Sequence, residues 1–205
     1  MSTATDHDFQ CAAVREAARR TDNSTMSQDT IAKLCAWAAC LGAVTVCVRE
    51  PDKRFHDWVA QAIPPGNCAF HKPEYHYPVS VGELSILHAH MQRGGSVILL
   101  SPQAADDAMT LAHELGHVAA DLAGCDDRDR KPNQTLLRHA EKYGLEFDPE
   151  TNAELMAECV GRRMLELPLS AELRRFSNDA FSEFTRRTGW QATNAKTWTP
   201  KQLRF

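Results

Sequence analysis

The stretch SVILLSPQAADDAMTLAHELGHVAAD, Ser96–Asp121, decides the fold that this sequence predicts. Its first five residues, Ser96–Leu100, form a short apolar run of the kind found in buried strands. The Ser-Pro pair at 101–102 is a helix-start signal, and acidic residues at 106–107 follow in the early turns, where the helix dipole favours them. The stretch therefore predicts a strand, a brief loop and a helix that runs to about Leu122.

The sequence before this stretch predicts additional helices and a second strand. Ser27 is a candidate N-cap for a helix that Gly42 would end. Val44–Val48 is a short apolar and β-branched run, which is typical of a buried strand. Residues 55–63 are predicted to form a short helix, and residues 6–20 a polar one.

The sequence after this stretch predicts helices alone. Leu136–Tyr143 is a helical segment that Gly144 would end. The Asp-Pro pair at 148–149 repeats the cap-plus-proline signal and is expected to open a helix that continues to about Leu165. A last helix is predicted at 171–187.

The composition is that of one ordinary globular domain. The chain has 205 residues, of which 43% are apolar and 24% charged, and its formal net charge is -4. Nucleic-acid-binding domains usually carry a basic face, so direct binding of nucleic acid is not expected. No run of eighteen apolar residues occurs, and Met1–Gln10 has no apolar signal region, which predicts a cytoplasmic protein without a membrane segment. The seven cysteines include no CxxC pair, which favours free thiols.

The motif His-Glu-Leu-Gly-His at 113–117 carries the chemistry. His113 and His117 are four residues apart, so on a helix their imidazoles share a face and can bind one metal ion. Zinc lowers the pKa of a bound water to about 7, and Glu114 can remove the proton of that water and later pass it to a leaving amine. The motif therefore predicts a zinc-dependent peptidase with Glu114 as the catalytic base.

A catalytic zinc ion needs a third protein ligand, and the acidic helix after 148 offers two candidates. Glu154 and Glu158 are four residues apart and share a face, so one could bind the metal while the other holds a histidine ring. An ordinary surface pair between Glu158 and Arg162 is an equally good interpretation of the spacing. Asp121, one turn after His117, is a further candidate ligand or hydrogen-bond partner.

Two other features bear on the site. Gly116 lies inside the predicted helix, where glycine costs about 1 kcal/mol relative to alanine, so a close neighbour, such as a packed strand or a substrate, is expected to approach the backbone there. A segment rich in His, Tyr and Pro also offers candidates that could stabilise the oxyanion or contact substrate. These candidates are His71, Tyr75, His76 and Tyr77.

Ser96–Asp121 resembles the ImmA/IrrE-type zinc metallopeptidases, in which a strand, a brief loop and an HExxH helix follow one another. The segment NAELMAECVGRRMLELP, Asn152–Pro168, is similar to the acidic helix that those proteins place later in the chain. The resemblance covers about a third of the chain. It implies that Glu154 is the third metal ligand and that Glu158 hydrogen-bonds the ring of a ligating histidine. The chain departs from the family pattern at 158–159 and 161–163.

The resemblance also implies a zincin-like fold and a cytosolic endopeptidase that cuts a regulatory protein, such as a transcriptional repressor. We therefore expect an α+β fold in which a small twisted sheet packs on the HExxH helix. The expected organisation is a helical segment at 1–42, a metallopeptidase core at 43–168, and a C-terminal helix and tail at 169–205. The alternative is a metallopeptidase-like module that binds a partner without cutting it, or an antirestriction-type module of a mobile element.

Overall fold

The computed structural model describes residues 28–47, 60–63, 89–100, 107–125, 131–145 and 147–191. Helices outnumber strands there, and the two kinds of element do not alternate regularly, so the fold is α+β. The elements in chain order are α1 (Gln28–Cys40), β1 (Ala43–Cys47), β2 (Ala60–Ile63), β3 (Ser96–Leu100), α2 (Ala108–Leu122), α3 (Gln134–Tyr143), α4 (Asn152–Met164), α5 (Ala171–Phe176) and α6 (Asn178–Thr188). The helix predicted at 6–20 lies outside the described residues.

The chain divides into two compact units, Met1–Leu111 and Ala112–Phe205. The first unit contains a sheet of strand order β1-β3-β2. β3 is central, pairs in parallel with β1 and antiparallel with β2, and is buried along its whole length. The sequence predicted β3 at its observed bounds and β1 within one residue, because both are short apolar runs that suit a buried strand.

The short helix predicted at 55–63 is wrong over its last four residues. Ala60–Ile63 is instead the edge strand β2, in which Ala60 pairs with Leu100 and Ile63 with Val97. These pairs join residues 34 to 40 positions apart, so local propensity could not reveal them, and tertiary pairing overrode that propensity.

The helix that carries the HExxH motif begins later than predicted. Asp107 lies outside α2, and its carboxylate accepts hydrogen bonds from the backbone N–H groups of Met109 (3.0 Å) and Thr110 (3.3 Å). Asp107 is therefore the N-cap, rather than a residue of an early turn that follows the Ser-Pro pair at 101–102.

The second unit is helical, and two of its predicted boundaries are corrected. α4 begins at Asn152 with Thr151 as its N-cap, three residues later than the Asp-Pro pair at 148–149 predicted. The single helix predicted at 171–187 is two helices, α5 and α6, separated at Ser177, whose hydroxyl donates to the carbonyl oxygen of Leu173 (3.0 Å). A local hydrogen bond of this kind competes with continuous helix.

A buried apolar cluster joins α3, α4 and α5, and one side of α4 is built into it. Its members are Ala140, Leu145, Leu155, Cys159, Leu169 and Leu173. Leu155 directly follows Glu154, and Cys159 directly follows Glu158. Because both of these apolar residues are in the core, the core fixes the rotation of α4 about its axis and with it the direction of the two glutamates.

Four cysteines whose surroundings are described are free thiols: Cys35, Cys40, Cys125 and Cys159. Within the described ranges, no helix combines the length and the apolar character that a membrane span requires. The three-part organisation with boundaries at 42 and 168 stays a prediction.

Candidate metal centre

The site lies within the second unit, where the backbones of α2 and α4 meet at Gly116. A β-carbon on Gly116 would collide with the carbonyl oxygen of Ala157 and lie 2.8 Å from its Cα. The close approach expected at Gly116 is thus confirmed, but the neighbour is a second helix and neither a strand nor a substrate. Glycine is needed there because any side chain would push the two helices apart.

His113 and His117 flank this crossing point on α2. Their ring centroids are 4.9 Å apart at an interplanar angle of 76°. Glu154, which precedes Ala157 by one helical turn, places one carboxylate oxygen 3.2 Å from Nε2 of His113 and the other 3.5 Å from Nε2 of His117. The Glu154 carboxylate therefore contacts Nε2 of each of the two rings.

These three side chains form a group that could hold a metal ion. One ligand atom from each of His113, His117 and Glu154 lies within 4.8 Å of the other two. The donors are two imidazole nitrogens and one carboxylate oxygen, which is a ligand set found in catalytic zinc sites. The same donors accept other divalent ions, so the chemistry of the group fits a metal without identifying it.

Glu158 lies on the opposite side of the His113 ring from Glu154. One of its oxygens is 3.3 Å from Nδ1 of His113, and the other accepts a hydrogen bond of 2.9 Å from Nε of Arg162. The Glu158 side chain is only 6% exposed, so its pair with Arg162 is not an ordinary surface pair. The four-residue spacing of this pair is visible in the sequence but its burial is not, so the sequence alone could not identify Arg162 as a residue of the site.

Contacts within the cluster shift the pKa values of His113, Glu154 and Glu158. Burial disfavours the charged ring of His113, but hydrogen bonds with Glu154 and Glu158 and the negative charge of Glu114 outweigh it and raise its pKa from 6.5 to about 10. Hydrogen bonds from His113 and His117 hold the pKa of Glu154 well below its usual range. Burial raises the pKa of Glu158, but hydrogen bonds from His113 and Arg162 reverse this, and the pKa is lowered. Without metal, the charged ring of His113 is therefore paired with the ionised carboxylates of Glu154 and Glu158.

Of the other predicted site residues, Glu114 lies close to the metal-binding group and Asp121 is not part of it. Glu114 is 7% exposed and close enough for its charge to act on His113. Asp121 follows on α2 one turn after His117 and is not part of the metal-binding group. The four candidates at 71–77 lie outside the described residues.

Comparison of the sequence with protein-family models gives no match, and comparisons with curated proteins and with solved structures give none either.

Proposed function

We propose that this protein is a zinc-dependent metallopeptidase of zincin-like fold. The observation that carries the proposal is the convergence of His113, His117 and Glu154, next to the buried carboxylate of Glu114. A chance histidine pair on a solvated helix has no reason to meet a carboxylate from another helix at both Nε2 atoms. The HExxH spacing supplies the expected base one residue after the first histidine.

In this proposal each residue has a distinct role. His113, His117 and Glu154 would hold the ion, and a bound zinc ion supplies Lewis-acid activation of water and of the scissile carbonyl. Glu114 takes the proton of the attacking water and delivers it to the leaving amine. Glu158 accepts a hydrogen bond from Nδ1 of His113, which keeps the lone pair of that ring on Nε2.

The substrate class follows only from the resemblance of Ser96–Asp121 to the ImmA/IrrE-type metallopeptidases. On that basis we propose a cytosolic endopeptidase that acts on a regulatory protein, such as a transcriptional repressor. Nothing in the mild net charge of -4 suggests that the chain itself contacts nucleic acid.

The variant Glu114→Gln tests the proposal, because it removes the base and keeps the size of the side chain. Wild type and variant are purified with zinc, their metal content is measured, and each is incubated with a proteome-derived peptide library analysed by mass spectrometry. We expect about one zinc ion per chain in both proteins, and new peptide termini with wild type only. Equal cleavage by both proteins, or a wild type that binds no zinc, would contradict it. Zinc binding without cleavage by wild type would favour the non-cleaving binding module.

A further inference from the structure

The two oxygens of Glu158 face different partners. Oε2 lies 3.3 Å from Nδ1 of His113, and Oε1 accepts from Nε of Arg162 at 2.9 Å. Glu154 instead approaches Nε2, the other nitrogen of the His113 ring. Glu154 and Glu158 therefore contact different nitrogens of the same imidazole ring.

Arg162 is itself held at a second point. Its Nη2 donates to the carbonyl oxygen of Gly144 at 3.1 Å, while its Nε donates to Glu158. Gly144 is the left-handed C-cap of α3, with φ 60°, and its own N–H returns to the last turn of that helix. The guanidinium fork thus spans from the end of α3 to Glu158, and its planar shape fixes the direction of both bonds.

We propose that Arg162 is a positioning residue that anchors Glu158 on the Nδ1 side of His113 and so reserves the metal position for Glu154. This inference rests on the proposed zinc site. Glu154 and Glu158 have the same chemistry and share a face of α4, so either could in principle bind the ion. Arg162 separates them, because Glu158 would have to leave a buried ion pair in order to reach the metal.

The chain offers a matched control in the next residue. Arg163 donates to the carbonyl oxygen of Arg174 at 3.0 Å and lies 3.8 Å from the centroid of the Phe181 ring. It is an arginine of the same helix with comparable packing, but these contacts are with α5 and α6 and not with the metal-binding group. Its loss should affect the stability of the unit and leave the site in place.

The experiment is a zinc titration against a chromophoric chelator, with thermal melting of each metal-free protein measured in parallel. For Arg162→Met we expect zinc to bind more weakly than to wild type, by up to the roughly 10- to 100-fold loss that is typical when the outer partner of a ligand is displaced, because Glu158 would no longer be held against His113. Arg162→Lys, which keeps the charge but lacks the fork, should fall between the two. Arg163→Met should bind zinc as wild type does, even if its melting temperature falls.

A double variant separates positioning from general stability. If Arg162 acts through Glu158, then adding Arg162→Met to Glu158→Gln should change zinc affinity by less than about twofold. Wild-type affinity in both Arg162 variants, or an equal loss in Arg163→Met, would overturn the inference and leave the zinc site standing. A wild type that binds no zinc would overturn the proposed function, and the inference with it.

Discussion

Gly116 and Ala157 bring the backbones of two helices into direct contact, with no room for a side chain on Gly116. The contact lies between His113 and His117 on α2 and between Glu154 and Glu158 on α4. Because the crossing point lies within one turn of all four side chains, it sets the distances among them. The candidate site is therefore as much a property of this helix crossing as of the motif.

Replacing Gly116 with alanine should damage both the stability and the metal site. The added methyl group meets backbone atoms, which cannot rotate away, so we expect the free energy of unfolding to fall by about 1–3 kcal/mol or more. Zinc affinity should fall with it, because α2 and α4 must separate. Chemical denaturation and zinc titration measure the two effects.

Gly124→Ala is the matched control, at the end of the same helix. Gly124 has φ 65° and open space around its missing β-carbon, so alanine there costs about 1–2 kcal/mol in backbone strain alone. We expect normal zinc affinity in this variant. Equal losses of zinc affinity in the two variants would contradict a special role for the crossing at Gly116.

Removing each glutamate should identify the third ligand. Glu154→Ala should lose stoichiometric zinc, because it removes the carboxylate that faces Nε2 of both histidines. Glu158→Ala should keep about one zinc ion per chain with affinity reduced about 10- to 100-fold, because it removes only the partner of Nδ1. Elemental analysis and chelator competition provide the two readouts. The reverse result would exchange the proposed roles, and zinc retained in both variants would move the ligand to another residue, with Asp121, His71 and His76 next to be tested.

Zinc binding should release a proton from His113. With a pKa of about 10 in the metal-free protein, His113 is charged at pH 7, and it must become neutral to bind zinc. Apparent zinc affinity should therefore rise with pH by up to about tenfold per unit between pH 7 and 9. Calorimetric titration in two buffers of different ionisation enthalpy measures the proton directly. An affinity that does not change over this range would show that His113 is already neutral.

The same raised pKa predicts how the stability of the metal-free protein depends on pH. Because the folded-state pKa of His113 exceeds the ordinary value of 6.5, its contribution to stability is complete below pH 6.5 and is lost as the pH rises through about 10. The melting temperature of the metal-free protein should fall across this window. In His113→Gln the melting temperature should fall less over the same pH range. An identical fall in the variant would show that other groups cause it.

A pair of helix caps tests whether the first turn of α4 supports the site. Thr151 accepts a hydrogen bond from the N–H of Ala153 at 3.2 Å, and Asn133 caps α3 through two bonds of 3.0 Å. Thr151→Ala and Asn133→Ala should each lower the free energy of unfolding by about 1 kcal/mol. Only Thr151→Ala should also weaken zinc binding, because Glu154 lies in the turn that Thr151 caps. Equal zinc affinity in the two variants would show that the packing of α4 holds Glu154 without the cap.

Several features could be predicted from local sequence because their causes are local. Ser96–Leu100 is apolar enough to be a buried strand wherever its partners lie, and Gly144 ends α3 because few other residues adopt its left-handed conformation. Helix starts were less predictable. Asp107 and Thr151 form the caps, although nearby Ser-Pro and Asp-Pro pairs carried the stronger sequence signal.

The sequence by itself determined that His113, Glu114 and His117 share one stretch of helix, because four-residue spacing and helical geometry are enough for that. Only the tertiary structure decided which carboxylates meet those rings and from which side. Glu154 and Glu158 are chemically identical and share a face of α4, so their spacing could not distinguish them. Their difference comes from two features of the tertiary structure. The first is the close crossing of α2 and α4 at Gly116, which brings together residues about forty positions apart. The second is the buried pair of Glu158 with Arg162, and Arg162 is also held by the neighbouring helix end at Gly144.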